Sequence, residues 1–144
     1  MADLFQGRNE LIVVHNMGIG CDYCTLWADG FNGFADHLND RAAFVVVSND
    51  SIEVQQKFAA SRGWRFKMVS SEGTSFFADM GFWGDGPWPG ISTFKREVDG
   101  TILRTGRDNL GEGDDYCSVW HIFTMLNDDY NDWSPKVDKS GLKA

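Results

Sequence analysis

A short apolar run that ends just before two cysteines constrains the fold of this chain most. The run is residues 11–17 (LIVVHNM), and the cysteine motif at residues 21–24 (CDYC) follows after three more residues. A continuous β-branched run of this length predicts a buried strand. After the motif, apolar residues recur every three or four positions, which predicts an amphipathic helix to about Asn39. The cysteine pair is therefore expected where a strand ends and a helix begins.

The rest of the chain continues to alternate between strand and helix patterns. Ser51 is a good N-cap for a second helix, and Gly63 is a suitable residue to end it. Asp99-Gly100 predicts a hairpin turn. The predicted strands are residues 11–17, 42–48, 64–69, 91–96 and 101–105, and the later helices are residues 52–61 and 116–126.

This order of elements predicts an α/β fold with a mixed central sheet and helices on both faces. The four-stranded form of this architecture is the thioredoxin arrangement, a three-layer α/β/α sandwich, so we expect a mixed sheet of about four strands. The 144 residues suit one domain, and no linker interrupts them. The tail from about residue 135 is expected to be flexible.

Composition argues against several classes of binding partner and favours one cellular compartment. Thirteen Lys and Arg against 21 Asp and Glu give a net charge of −8, which argues against nucleic-acid binding. No apolar run approaches the length of a membrane span, so no membrane partner is expected. An odd count of 3 cysteines and the absence of a secretory signal pattern predict a reducing compartment, the cytoplasm.

The CxxC motif has a direct chemical meaning at a helix start. The free backbone N–H groups of the first turn and the positive end of the helix dipole stabilise a thiolate on the first cysteine. Cys21 is then the candidate nucleophile for thiol–disulfide exchange, and Cys24 the resolving thiol. The negative charge of Asp22 is expected to raise the pKa of Cys21 and to offset part of this activation.

Two other interpretations of the CxxC motif compete with a redox role. A zinc site needs four ligands, and the chain adds only Cys117 and three isolated histidines to the pair, so no metal and no cofactor are expected. Alternatively, both cysteines are inert small apolar residues in a core.

Three runs of residues, DLFQGRNELIVVHNM, CDYCTLWADGFNGFADHLN and PGISTF, resemble an uncharacterised bacterial family of thioredoxin-like proteins. The resemblance covers about residues 3–130, and its most specific part is the CxxC motif followed by WADGFNG. It implies a thioredoxin-like fold with Cys21 and Cys24 as the redox pair. The resemblance does not imply a particular substrate.

Further site residues are predicted around this pair. His15 occupies the spacing at which thioredoxins carry a buried acid that helps to deprotonate the second cysteine, and it is assigned a catalytic role. The segment Trp88, Pro89, Gly90 and Ile91 is assigned to substrate binding, with Pro89 as the candidate for the cis-proline that faces the CxxC motif in thioredoxins. An alternative alignment from the hairpin turn places that position nearer Ile91 or Ser92.

The resulting hypothesis is a thioredoxin-like thiol–disulfide oxidoreductase without a cofactor. Its partner would be a protein or small-molecule thiol or disulfide, and the sequence is compatible with a homodimer. One alternative is a redox-inert binding module that uses the aromatic loop at residues 76–88. Another is a peroxiredoxin-like peroxide reductase, although no Pro-x-x-x-Thr/Ser-x-x-Cys run precedes Cys21.

Overall fold

The computed structural model, which describes residues 1–142, contains one mixed sheet in the order β3-β2-β1-β4-β5. Its strands are β1 (Glu10–His15), β2 (Ala43–Ser48), β3 (Lys67–Ser70), β4 (Gly90–Arg96) and β5 (Ile102–Asn109). β1, β2 and β3 run parallel, whereas β4 and β5 are antiparallel to their neighbours. The sheet has five strands rather than about four, because β3 adds a parallel strand to the outer side of β2.

Helices cover both faces of the sheet, so the molecule has three layers. The helices are α1 (Asp22–Gly33), α2 (Ala35–Arg41), α3 (Ile52–Arg62), α4 (Phe76–Asp79) and α5 (Ser118–Phe123). Residues of α1, α2, α3 and α5 share one core cluster, whereas α4 and the 3₁₀ turn Ala2–Phe5 contribute to the cluster on the opposite face. Across the described residues, no helix combines the length and the apolar character that crossing a membrane would require.

The alternation of side chains along β1 determines which residues face the cysteines. Val14 packs in the same cluster as Cys24, whereas Leu11 and Val13 pack in the cluster on the other face. All six residues of β2 are buried, as a central strand covered on both faces requires. The apolar runs of the sequence therefore correspond to the two central parallel strands.

The helix after the cysteine motif is shorter than its apolar period predicts. It ends at Gly33, and Phe34, with φ −124° and ψ 24°, separates α1 from α2. Glycine is a poor helix former, and both Gly30 and Gly33 lie just before this break. The chain redirects here so that Ala35 of α2 still packs in the core.

The second helix and the hairpin form as predicted. The Ser51 hydroxyl accepts a hydrogen bond from the Val54 N–H at 3.3 Å, and α3 ends at Gly63. In the hairpin, the Asp99 carboxylate accepts the N–H of Thr101 at 2.9 Å between β4 and β5. These are local signals, each set by residues close together in the sequence.

The last part of the chain differs most from the expectation. The final helix extends over only six residues, Ser118–Phe123, and Trp120 is its fully buried residue. The tail after residue 135 lies against the core face that contains Cys24, where Val137 and Leu142 pack. Lys139 also forms an ion pair with Asp22 at 2.8 Å, so the tail reaches the start of α1.

Candidate active site

Cys21 occupies the N-cap of α1, directly beside the first turn of the helix. Its backbone is extended, with φ −108° and ψ 103°, and its Sγ accepts a hydrogen bond from the Cys24 N–H at 3.0 Å. The sulfur therefore satisfies one of the backbone donors that a helix start leaves unpaired. A negative charge on this sulfur is stabilised by that hydrogen bond and by the helix dipole.

Cys24 lies one turn further into the helix and is buried, with 1% of its surface exposed, whereas Cys21 is partly exposed. The backbone N–H of Met17 donates a hydrogen bond to Sγ of Cys24 at 3.3 Å. Cys24 thus contacts the loop that joins β1 to α1. The two thiols differ in access: an external molecule reaches Cys21 and not Cys24.

The two thiols also differ in acidity. The pKa of Cys21 falls to about 7, chiefly because the Cys24 thiol donates a hydrogen bond to its sulfur, while burial and the Asp22 charge act against this. The pKa of Cys24 rises, because its thiol donates that hydrogen bond and because the sulfur is buried. The expected effect of Asp22 has the predicted direction, but it does not prevent activation of Cys21.

The loop between β1 and the cysteines is fixed by two side chains that the sequence analysis did not identify. The Asn16 Oδ1 accepts the Gly18 N–H at 2.7 Å, and its Nδ2 donates to the Cys24 carbonyl at 3.4 Å. The Asp50 carboxylate, which follows β2, accepts the Ile19 N–H at 2.8 Å. Asn16 could have been noticed as a polar residue in an apolar run, but the contact of Asp50 depends on the tertiary fold.

Gly18 is required at this loop for two reasons. Its φ is +98°, a conformation that residues with a side chain rarely adopt. A Cβ at this position would also lie 2.6 Å from Oδ2 of Asp50. The close approach of Asp50 to the backbone therefore depends on glycine.

Cys21 opens into a cleft of about 420 Å³ at the surface. Its wall is mostly apolar and aromatic, and it includes one acidic side chain. The lining residues are Met17, Cys21, Tyr23, Trp27, Pro89 and Glu112. Pro89 therefore lies beside the nucleophile candidate, just before β4. Its peptide bond is trans like every other within residues 1–142, so it is not the cis-proline that the sequence suggested.

The other residues assigned to substrate binding lie elsewhere. Trp88 is 51% exposed and packs its ring against Gly84 of its own loop. Gly90 is buried against Phe82, where a Cβ would approach the ring to 2.0 Å. Ile91 lines a separate apolar cavity of about 460 Å³ between α1, α2 and α5. Of the four, only Pro89 lines the described Cys21 cleft.

His15 lies on the opposite face of β1 from Cys24. Its Nε2 is 2.9 Å from the Ser92 Oγ, and its ring stacks on Phe82 with centroids 4.4 Å apart. Burial in this aromatic cluster, with a smaller effect of Arg104 and Arg107, lowers its pKa to about 3. The ring is therefore neutral at physiological pH and supplies no positive charge to either thiol. The described contacts of His15 include neither thiol, so its catalytic role stays a prediction.

The described part of the chain, residues 1–142, contains no group of three or more His, Cys, Asp or Glu side chains arranged to hold a metal ion. Cys117 is buried at the start of α5, and burial raises the pKa of its thiol. It therefore lacks both the access and the acidity of Cys21.

Comparison with solved structures identifies the class of fold. The peroxidoxin BcpB from Mycobacterium tuberculosis aligns with a TM-score of 0.58 and 22% identity, over 75% of this chain and 71% of that chain. A secreted M. tuberculosis disulfide oxidoreductase homologous to E. coli DsbE gives 0.52 and 16%, over 76% and 74%. A structure of Xanthomonas campestris peroxiredoxin Q gives 0.51 and 21%, over 68% and 69%. The fold is thioredoxin-like, as the sequence predicted.

The family follows from the sequence profile that matches residues 1–128. The chain belongs to the family described as bacterial protein of unknown function (DUF899). The comparison with curated proteins finds no match. The resemblance to an uncharacterised bacterial thioredoxin-like family is thereby confirmed, and the chemistry of the site has to be argued from its own geometry.

Proposed function

We propose that this protein is a thiol–disulfide oxidoreductase that uses Cys21 and Cys24 as its dithiol. Cys21 is the nucleophile, Cys24 is the resolving cysteine, and the substrate is a protein or small-molecule disulfide. No cofactor takes part in the reaction. The proposal retains the cytoplasmic location expected from the sequence, where reductants would return the protein to its dithiol form.

The difference in exposure and in pKa between the two thiols is the main support for this proposal. Cys21 is partly exposed, has a pKa of about 7, and accepts a helix N–H at 3.0 Å, whereas Cys24 is buried. A pair of inert core cysteines would show neither the exposure nor the lowered pKa. The arrangement supplies a thiolate at neutral pH and a protected second thiol within reach of it.

The reaction transfers two electrons from the dithiol to the substrate. The Cys21 thiolate attacks one sulfur of the substrate disulfide, the S–S bond breaks, and the other sulfur leaves as a thiolate that takes up a proton. Cys24 then loses its proton and attacks the Cys21 sulfur. This second step releases the remaining substrate thiol and leaves a Cys21–Cys24 disulfide.

Single-cysteine variants test these roles. In a Cys117→Ser background, Cys24→Ser should accumulate a mixed disulfide between Cys21 and the substrate, because the second step is removed. Cys21→Ser should form no such adduct, because Cys24 is buried. Intact-protein mass spectrometry after reaction with 2-hydroxyethyl disulfide reads both results. An adduct of equal yield in both variants would contradict the assignment.

A peroxide reductase is the second candidate, since two of the three structures compared above are named peroxidoxin and peroxiredoxin. At those identities the likeness concerns the fold, and Cys21 is not preceded by the Pro-x-x-x-Thr/Ser-x-x-Cys run. Stopped-flow rates of Cys21 with hydrogen peroxide separate the two activities. A peroxide reductase would react orders of magnitude faster than a free thiol of the same pKa, and the oxidoreductase proposed here would not.

The remaining alternative is a redox-inert binding module. Its aromatic loop would act as the interaction surface, and Trp83 and Trp88 of that loop are 47% and 51% exposed. Phe77 and Phe82 of the same loop are buried in the core, so much of the loop serves packing. This alternative predicts partner binding that is equal for the dithiol form and for the Cys21→Ser variant.

A further inference from the structure

We propose that the Cys21 cleft selects disulfides of peptide segments that carry a cationic residue beside the cysteine, over neutral and anionic disulfides. This inference rests on the proposed function, because it concerns the substrate of the same dithiol. It deepens that function by naming a substrate class. Two features of the cleft lead to it.

The first feature is the charge of the cleft wall. Glu112 is exposed. Among the residues that line the described cleft, Glu112 and the Cys21 thiolate are the two that carry a formal charge at neutral pH. Asp22, next to Cys21, is already paired with Lys139 at 2.8 Å. The salt bridges formed within residues 1–142 leave Glu112 without a cation. A positively charged group on the substrate would supply that partner.

The second feature is the apolar character of the rest of the wall. Besides Cys21 and Glu112, the lining residues are aromatic or apolar, and Trp27 among them is 4% exposed. The apolar rings of Tyr23 and Trp27, with Met17 and Pro89, suit the aliphatic stem of Lys or Arg.

Anionic disulfides should bind poorly in this cleft. Glutathione disulfide has a net negative charge at neutral pH, and the protein has a formal net charge of −8. Like charges slow the encounter and oppose docking beside Glu112 and the Cys21 thiolate. The chemistry is unchanged: the thiolate displaces one peptide thiol, Cys24 displaces the other, and the dithiol loses two electrons to the substrate disulfide.

Three blocked peptide disulfides test the inference. They are symmetric dimers of acetyl-Xaa-Cys-Ala-amide in which Xaa is Lys, Gln or Glu, so that each half of the Lys or Glu dimer differs from the neutral Gln half by one charge. Pre-reduced, desalted protein is mixed with excess peptide, quenched with acid and alkylated. The loss of two alkylatable thiols, read by mass spectrometry, gives the rate. The proteins are the parent chain, Glu112→Gln and Glu112→Lys, with Glu53→Gln on α3 as the control for removal of one exposed carboxylate.

We expect the Lys peptide to oxidise the parent dithiol faster than the Glu peptide. The ratio of these two rates should fall about threefold in Glu112→Gln, the effect of one screened surface charge, and about tenfold in Glu112→Lys. The intrinsic reactivities of the peptides and the charge of the thiolate cancel when variants are compared. The ratio should stay unchanged in Glu53→Gln and should shrink in 1 M NaCl, where charges are screened within about 3 Å.

A Lys-to-Glu rate ratio that is the same in the Glu112 variants and in the parent chain would overturn this inference. In that case, oxidation of the dithiol by the neutral Gln peptide would still support the proposed function. If none of the three peptides oxidises the dithiol, the proposed function fails and the substrate class fails with it. The rate with the Gln peptide therefore separates the two failures.

Discussion

Asp22 and Lys139, which are 117 residues apart in the sequence, form an ion pair at 2.8 Å beside the nucleophile candidate. Asp22 is the residue that follows Cys21, and its charge raises the pKa of that thiol. The ammonium group of Lys139 offsets part of this charge. The end of the chain therefore takes part in setting the charge environment at the start of α1.

Substitution of these two residues should change the reactivity of Cys21 in opposite directions. Asp22→Asn removes a negative charge and lowers the pKa of Cys21, whereas Lys139→Gln leaves Asp22 unpaired and raises it. At pH 6 the alkylation rate with iodoacetamide should rise about twofold in the first variant and fall about twofold in the second. Asp36→Asn, which removes an exposed carboxylate on α2, is the control. A change of the same sign in both variants would contradict this account.

Asn16→Ala should destabilise the protein and loosen the cysteine loop. The amide of Asn16 accepts the Gly18 N–H and donates to the Cys24 carbonyl, and its loss leaves buried backbone groups unpaired. The cost should be about 1–3 kcal/mol in the free energy of unfolding, measured by urea denaturation. Asn127→Ala removes an exposed amide that donates to the carboxylate of its neighbour Asp128, and it should change stability little. Equal losses in the two variants would show that Asn16 has no special role.

His15 should make stability depend on pH in mildly acidic solution. Its pKa is about 3 in the folded state against 6.5 as the ordinary value, so the unfolded chain binds a proton that the folded chain does not. The stabilising effect is present above about pH 6.5 and is lost as the pH falls toward 3. Between pH 7 and 5 this one group should remove about 2 kcal/mol from the free energy of unfolding.

The variant His15→Gln isolates this contribution. Its stability should fall less than that of the parent chain between pH 7 and 5, whatever its stability at pH 7, because the titrating ring is gone. His37→Gln, an exposed substitution, should retain the slope of the parent chain. Parallel pH profiles for the parent chain and His15→Gln would show that His15 is not buried in its neutral form.

Much of the fold could be predicted because its signals are local. The β-branched runs of β1 and β2, the Ser51 cap and the turn at Asp99 each depend on neighbouring residues, and all of them are present. The position of Cys21 at the start of α1 follows from the same kind of signal. The short α5 was not predictable from its period, because packing of Trp120 and of the tail determines where that helix ends.

The site could be predicted only in part, because most of its contacts join distant residues. The alternation along β1 places Val14 on the face of Cys24 and His15 on the other, but the sequence does not state which face α1 covers. Glu112 lies in a polar, glycine-rich stretch without a periodic pattern, and only the fold brings it to the Cys21 cleft. Asp50 reaches the cysteine loop because β1 and β2 are neighbours in the sheet.

The measurement that tests the central claim most directly is the redox equilibrium of Cys21 and Cys24. Protein with Cys117→Ser is equilibrated from both directions in buffers of reduced and oxidised glutathione, then alkylated and analysed by mass spectrometry. The account predicts a reversible Cys21–Cys24 disulfide with a reduction potential between about −120 and −270 mV, the range of known oxidoreductases. Failure of this disulfide to form at any ratio of the two glutathione forms would contradict the claim that the pair is a redox dithiol.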